Sequence, residues 1–322
     1  MGGMRKAELP DHLKGVAFAL RTSDKAGVTR TRTRAKDLVP VSRGIRVPLS
    51  AQPSGADALR AYTDVDDASI LALCSAARMI GIPVPAPQEG DWRIHLARRR
   101  GFAAPRRANV AGHRLTLTPD EVMEYDGARL TTPARTWLDL ASMRNSVDDL
   151  VAAGDYLVNS HGEDFPFPRE SICRIQELRD MIDRHPGLRG IRKAREALEL
   201  IRVGADSVPE SRMRLALITA GLPEPVLNFV VRGDSGLPVL WPDAAYPDHR
   251  ISLQYDGEHH TGEDQYQRDI VRAEVAARYG WHEVRISKND LKGDRQGVVG
   301  KVRSALAYRA QSALRAGRGA GH

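Results

Sequence analysis

Pro242-Asp243-Ala244-Ala245-Tyr246, followed closely by Ile251-Ser252-Leu253-Gln254-Tyr255-Asp256-Gly257-Glu258-His259-His260, is the stretch on which the reading of this chain turns. Two apolar, strand-like runs each carry an acidic residue to a strand end, and histidines come next. Oxygen donors and imidazoles are thereby gathered in a short segment, the donor set of a metal-assisted hydrolase. Side chains two apart on a strand share a face, so Gln254 and Asp256 are expected to look together toward a cleft while Leu253 and Tyr255 face a core. With Asp243 on the neighbouring strand, the three could meet across a ladder pair around one divalent cation.

Outward from that segment, the expected order from Val208 is helix, three strands, helix, strand, helix. Ser207 is placed to cap a helix that stops at Gly221. Val226 to Val231, Leu237 to Tyr246 and Arg250 to Tyr255 read as strands, Glu263 to Tyr279 as a helix, and Trp281 to Ile286 as the last strand. Ordered along the chain are Glu210-Ser211 with Arg214, Pro242-Asp243, Tyr255-Asp256-Gly257 with His260, Asp269 with Arg272, and Gly280-Trp281 with Arg285. This region, residues 205 to 300, resembles the PD-(D/E)XK nuclease fold, in its branch related to very-short-patch-repair endonucleases. The resemblance implies an αβββαβ core and hydrolysis of DNA phosphodiesters with Mg²⁺ or Mn²⁺. Asp243 would be the essential metal ligand, Gln254 and Asp256 co-ligands, His260 (or its neighbour His259) the acid-base group, and Glu210 an auxiliary carboxylate.

Phosphodiester hydrolysis must stabilise charge growing on a phosphoryl oxygen and supply a nucleophile at neutral pH, and a cation held by carboxylates serves both needs. Two departures from the resemblance matter. Gln254 stands where relatives carry a carboxylate, and a neutral amide oxygen brings no charge to a cation. Asp256 stands where the wider superfamily has a lysine. Each residue also has a duller reading: Asp243 as a turn former after Pro242, Asp256-Gly257 as a hairpin turn, Glu210 with Arg214 as a helix ion pair, and Trp281 as a core anchor.

The first sixty residues read as helix, turn, basic helix: Leu13 to Leu20, Ser23 to Thr29 and Thr31 to Leu38. Arg30, Arg32, Arg34 and Lys36 crowd one short segment, with Arg43 beyond it, as where a helix-turn-helix sets cations against phosphates. Gln52 to Asp67 has the composition of a linker. A helix from Ala68 to Ile80 comes next, then strands at Trp92 to Leu96, Arg114 to Leu117 and Val122 to Tyr125. Arg98-Arg99-Arg100, with Arg106 and Arg107, forms a second basic cluster, suited to a phosphate backbone or simply to a surface loop. Thr132-Pro133 opens a helix in which Arg135 is expected to find an acidic partner, and Ser146 to Val158 forms another. Residues 10 to 160, with Thr132-Pro133-Ala134-Arg135-Thr136-Trp137-Leu138-Asp139-Leu140-Ala141, resemble the N-terminal half of AbiEi-like antitoxin-type regulators. That resemblance implies DNA binding through a winged helix and adds a toxin partner to the expected partners; because a winged helix often works as a dimer on paired half-sites, a homodimer is expected as well.

The 322 residues carry 48 Lys and Arg against 41 Asp and Glu, an excess that favours polyanionic partners. Two cysteines, Cys74 and Cys173, are too few for a disulfide framework or thiolate zinc site and suit a reducing compartment. No apolar run approaches the roughly 20 residues that span a bilayer, and no signal-peptide core follows the N-terminus, so a cytoplasmic location without membrane partners is expected. The fold class expected is multi-domain α/β. Its parts are a winged helix-turn-helix (1–60), a small α+β domain (61–160), a helical connector (161–204), the nuclease-like core (205–310) and a disordered tail (311–322). A metal-dependent DNA endonuclease is the leading expectation. Its rivals are a non-catalytic DNA-binding regulator on a degenerate nuclease fold and an RNA-directed nuclease toxin.

Overall fold

The computed structural model describes residues 7–84, 93–257 and 263–319. The protein is a mixed α/β chain with several sheets. It divides into two compact units, the first comprising Met1–Asn145 and Glu177–Ile191, the second Ser146–Gln176 and Arg192–His322.

Unit 1 opens with β1 (Phe18–Ala19), α1 (Leu20–Lys25), β2 (Leu38–Ser42) and β3 (Ile45–Pro48), the strands forming an antiparallel sheet of order β1-β3-β2. The expected helix from Thr31 to Leu38 is a single 3-10 turn over Arg32–Arg34 instead. Thr29, Thr31 and Thr33 are β-branched and alternate through the segment, which disfavours a helix. The turn is fixed by Thr33 Oγ1 donating to Arg30 O at 3.0 Å and by a two-pronged Arg32–Asp37 pair at 3.1 and 2.8 Å. Likewise the stretch from Leu13 to Leu20 is not helical, since Phe18–Ala19 is a strand.

Next comes α2 (Gly55–Asp64), where the composition alone points to a linker. Its Leu59, Ala61 and Tyr62 are buried in one core with Ala17, Ile45, Leu71, Leu96 and Leu130, and burial of that face overrides the loop-like composition. The N-terminal sheet therefore shares its core with the larger sheet of unit 1. That part comprises β4 (Ile70–Leu71), α3 (Leu73–Ile80), β5 (Ile94–Arg99), β6 (Val110–Leu115), β7 (Val122–Tyr125), β8 (Ala128–Thr131) and α4 (Pro133–Leu140), with a mixed sheet of order β6-β5-β4-β8-β7. Arg135 on α4 is buried and finds Glu121 at 2.6 Å and Asp139 at 3.1 Å, the acidic partnership expected of it.

After α4 the chain forms α5 (Val147–Val158), capped by Ser146, then α6 (Ile175–Arg184) and α7 (Ile191–Leu200). The break between the last two ends at Gly190, where φ is +89° and a Cβ would sit 2.2 Å from the carbonyl oxygen of Ala141, so only glycine fits.

Unit 2 continues with α8 (Val208–Thr219), β9 (Val231–Arg232), β10 (Pro238–Leu240), β11 (Ala244–Tyr246), β12 (Ile251–Asp256), α9 (Glu263–Arg278), β13 (His282–Ser287) and α10 (Gln296–Gly319), which runs through the Arg-, Ala- and Gly-rich segment. Strand β12 is central: antiparallel to β11, with Ala244 opposite Leu253, and parallel to β13, with Gln254 opposite Arg285. The expected strand from Leu237 to Tyr246 is broken in two at Trp241-Pro242-Asp243, because Pro242 has no N–H to give a ladder. Leu253, Ile251, Tyr246, Val284 and Ile286 meet Met213 and Leu217 of α8 and Val298 and Val302 of α10 in a hydrophobic core. Gln254 lies on the opposite face of β12, as the alternation predicts.

Candidate functional site

The break before β11 sets Asp243 beside β12. Gln254 Nε2 donates to Asp243 Oδ1 at 2.7 Å and the Tyr255 N–H donates to Oδ2 at 2.6 Å. Both carboxylate oxygens are thus oriented by the neighbouring strand. Burial pushes Asp243 up to about 6, against the opposing pull of the Tyr255 N–H and the Arg272 guanidinium. Arg272 itself is held by Glu283 at 3.1 Å, which also takes Arg285 at 2.8 Å.

The first turn of α8 supplies the second carboxyl. Ser207 caps the helix, and Glu210 turns back to accept from Ser207 Oγ and from the Asp206 N–H, each at 2.7 Å. Burial, then repulsion from Asp243, pushes Glu210 up to about 8. The i,i+4 ion pair with Arg214 does not form. Arg214 instead reaches Asp155 Oδ2 at 3.0 Å and Glu224 at 3.0 Å, while Ser211 Oγ donates to the same Asp155 oxygen at 2.7 Å. Within the Glu-Ser-x-x-Arg segment, then, Ser211 and Arg214 fasten α8 to Asp155 of α5, and Glu210 alone faces the cleft.

That cleft, of about 430 Å³, is walled by Glu210, Asp243, Asp206 and His161, with Phe165 and Trp241 at its apolar side. His161 is a member that sequence reasoning misses. Its side chain is only 6% exposed, Nε2 lies 2.7 Å from Asp206 Oδ1, and Asn159 Nδ2 donates to that oxygen at 2.7 Å. The available signal is the polar run Asn159-Ser160-His161 directly after an amphipathic helix, a pattern equally common in plain loops.

Asp256 is the last residue of β12 and is exposed, on the Gln254 face but without a hydrogen bond to the Asp243 pair. It is not a hairpin turn with Gly257, since β12 pairs with β13 in parallel. His259 and His260 lie outside the described residues. Trp281 packs with Phe229, Val231 and Leu240, as a core anchor does. Of the cations expected to meet DNA, Arg32 is committed to Asp37, Arg30 to Asp24, and Arg34, Lys36 and Arg43 are exposed.

Among the described residues no three His, Cys, Asp or Glu side chains form a ready cation cage. What the cleft offers is two buried carboxyls, Asp243 and Glu210, neither in a salt bridge among the described residues, with the exposed Asp206 on its wall bonded to His161 and the Gln254 amide beside Asp243. A hard cation that keeps much of its water and takes one or two carboxylates suits this set, which is the habit of Mg²⁺. Among the described residues no helix is long and apolar enough to cross a membrane.

No family model matches the chain. Two uncharacterized proteins of Mycobacterium tuberculosis, MT2308 of strain CDC 1551 / Oshkosh and Rv2248 of strain ATCC 25618 / H37Rv, are each 34% identical to it over 126 residues. The aligned stretch covers 38% of this chain and 46% of each relative, so the chain spans less than half the length of these curated relatives. No solved structure matches.

Proposed function

We propose that unit 2 is a metal-dependent DNA endonuclease of the PD-(D/E)XK type, akin to the very-short-patch-repair branch, and that the N-terminal part of unit 1 is an AbiEi-like, winged-helix-related DNA-binding region. The observation that carries the reading is the meeting of Asp243 and Glu210 at one cleft, with Gln254 bonded to Asp243 from the central strand β12. Asp243, with Gln254 and with Asp256 at the strand end, would hold Mg²⁺ or Mn²⁺, and Glu210 would neighbour it. When bound, the cation supplies charge stabilisation at the phosphoryl oxygen and an acidified water.

The residues of the chain do the rest. Tyr255 N–H fixes the rotamer of Asp243, so its carboxylate stays aimed without further ordering. Glu210, pushed up to about 8 by burial and by repulsion from Asp243, holds a proton at neutral pH. Phe165 and Trp241 keep one side of the cleft apolar. Incubation with supercoiled plasmid and Mg²⁺ or Mn²⁺ tests the reading: relaxed or linear product is expected from the wild type and none from Asp243→Asn, with DNA affinity retained. Cleavage that survives Asp243→Asn removes this cleft from the mechanism.

One observation favours a second reading, a DNA-binding regulator without turnover. Gln254 replaces a carboxylate and its amide already engages Asp243. Such a protein would bind DNA with strong salt dependence and leave plasmid intact with every divalent ion.

A further inference from the structure

Members of both basic clusters, Arg30 and Arg43 from the first and Arg98, Arg106 and Arg107 from the second, more than fifty residues on from Arg43, line a single cleft of about 710 Å³ within unit 1. Arg21, Lys25 and Arg30 come from α1 and the turn after it, Arg43 from the tip of the β2–β3 hairpin, and Arg98, Arg106 and Arg107 from β5 and the loop beyond it. The segments are tied together. Arg107 Nη1 donates to the carbonyl oxygen of Arg43, and Ser42 Oγ to that of Ala108 at 3.4 Å. The Pro105 loop lies so close on β6 that a Cβ at Gly112 would stand 2.0 Å from its carbonyl oxygen.

Charge within the cleft is sorted. Asp66, itself bonded by Ser69 Oγ and the N–H groups of Ala68 and Ser69, holds Arg98 at 2.7 Å and lies 4.0 Å from Arg107. Asp67 holds Arg21 at 2.7 Å, and Asp24 holds Arg30. Lys25, Arg43 and Arg106 are exposed and, among the described residues, have no ion-pair partner. Three cations that make no ion pair among the described residues therefore face one opening whose other arginines are held in place by carboxylates. The remaining lining, Leu20, Val65, Gly44 and Pro105, includes no aromatic ring on which an unpaired base could stack. A cleft of this size cannot swallow a duplex, but it can seat the phosphate ridge of one strand.

The geometry points to this cleft, rather than the Arg30–Lys36 turn, as the principal duplex-DNA contact of unit 1, with Lys25, Arg43 and Arg106 meeting backbone phosphates. The inference rests on the proposed DNA-binding role and is independent of cleavage in unit 2. It gives sequence-blind positioning, since phosphate contacts fix register but do not read bases.

Fluorescence anisotropy on a labelled duplex in EDTA, with the full chain and a salt series, tests it apart from nuclease activity. Lys25→Gln/Arg43→Gln/Arg106→Gln should lower affinity roughly tenfold or more at physiological salt and reduce the log–log salt slope by about 3, one for each phosphate that no longer meets a cation. Arg189→Gln/Arg192→Gln/Arg195→Gln, three exposed cations elsewhere, should bind as the wild type does. A circular-dichroism melt matching the wild type establishes that the cleft variant is folded. The assignment is overturned if the cleft variant keeps the wild-type slope, or if Arg34→Gln/Lys36→Gln loses as much as or more than it. It is overturned too if wild type binds duplex RNA in preference to DNA, or binds no DNA, whatever the plasmid assay gives. Loss of binding in the cleft variant with plasmid left intact by wild type would uphold the cleft and sink only the nuclease reading.

Discussion

Gln254 presents its amide N–H₂ to Asp243 Oδ1 across 2.7 Å, so the amide that stands where the nuclease resemblance expects a carboxylate also satisfies the residue beside it. The bond is neutral-to-charged, and it tempers repulsion that a carboxylate there would create. For an amide to serve a cation it must turn its oxygen toward Asp243, giving up that bond.

Replacing Gln254 by Glu should therefore act in opposite directions with and without metal. Without divalent ions, a second carboxylate facing Asp243 raises the cost of burial and lowers the melting temperature. With Mg²⁺ or Mn²⁺, binding to the folded state restores stability by mass action and cleavage of plasmid rises. Calorimetric melts with and without Mg²⁺, beside the plasmid assay, check both arms. A Glu variant that is indifferent to Mg²⁺ in both would favour the regulator.

Glu210 makes the pH dependence specific. Its carboxyl is pushed from 4.5 up to about 8, so the folded protein keeps a proton that the unfolded chain releases above pH 4.5. Stability should fall as pH rises from about 4.5 to about 8 and level off beyond, because the native state binds more protons across that window. Glu210→Gln removes this contribution. Its melting temperature should exceed that of the wild type at pH 8.5 and vary less between pH 5 and 8.5, as read by thermal melts in matched buffers. A wild-type protein equally stable across the window would mean the carboxyl is not buried beside Asp243.

Much of this architecture is legible in the sequence because its signals are local. Ser207 before α8, Ser146 before α5 and Thr132-Pro133 before α4 are helix starts carried by one or two residues, and the alternation in β12 puts Leu253 inward and Gln254 outward as found. What stays hidden depends on partners far along the chain. Asp155, which receives both Ser211 and Arg214, lies more than fifty residues before them, and no spacing rule links the three. No spacing rule links His161 to Asp206 or Arg98 to Asp66 either. The basic run from Arg30 to Lys36 misleads for a different reason: its charge suggests a recognition helix, but its threonines, with their branched side chains, set the backbone.

Arg214 and Asp155 give a stability prediction. Both side chains are fully buried, with Ser211 Oγ and the Arg202 N–H completing the carboxylate. Removing only the cation leaves a buried acid whose proton affinity is already raised by burial. Arg214→Met should cost about 3–5 kcal/mol in urea denaturation, whereas Arg214→Met with Asp155→Asn should recover part of it, since the double change leaves no buried charge unpaired. A single variant within about 1 kcal/mol of wild type would mean that Asp155 takes up a proton at little cost.

Gly112 offers the most local test of the basic cleft. An alanine there would drive its Cβ to 2.0 Å from the backbone oxygen of Pro105, and a backbone atom cannot swing aside as a side-chain tip can. The loop carrying Arg106 and Arg107 has to lift, which strains the bond from Arg107 to Arg43 O and the contact of Ser42 with Ala108 O. Gly112→Ala should destabilise the chain by about 1–3 kcal/mol, the usual cost of overpacking. It should also shrink the salt slope of DNA binding with every cationic side chain still present. Gly101→Ala, also in unit 1, sits at a φ of +105° with open space around its Cβ, so it strains the backbone without pushing Pro105. A slope that drops for Gly112→Ala and holds for Gly101→Ala ties binding to the packing of this loop; equal slopes for both and for wild type would separate Arg106 from the contact.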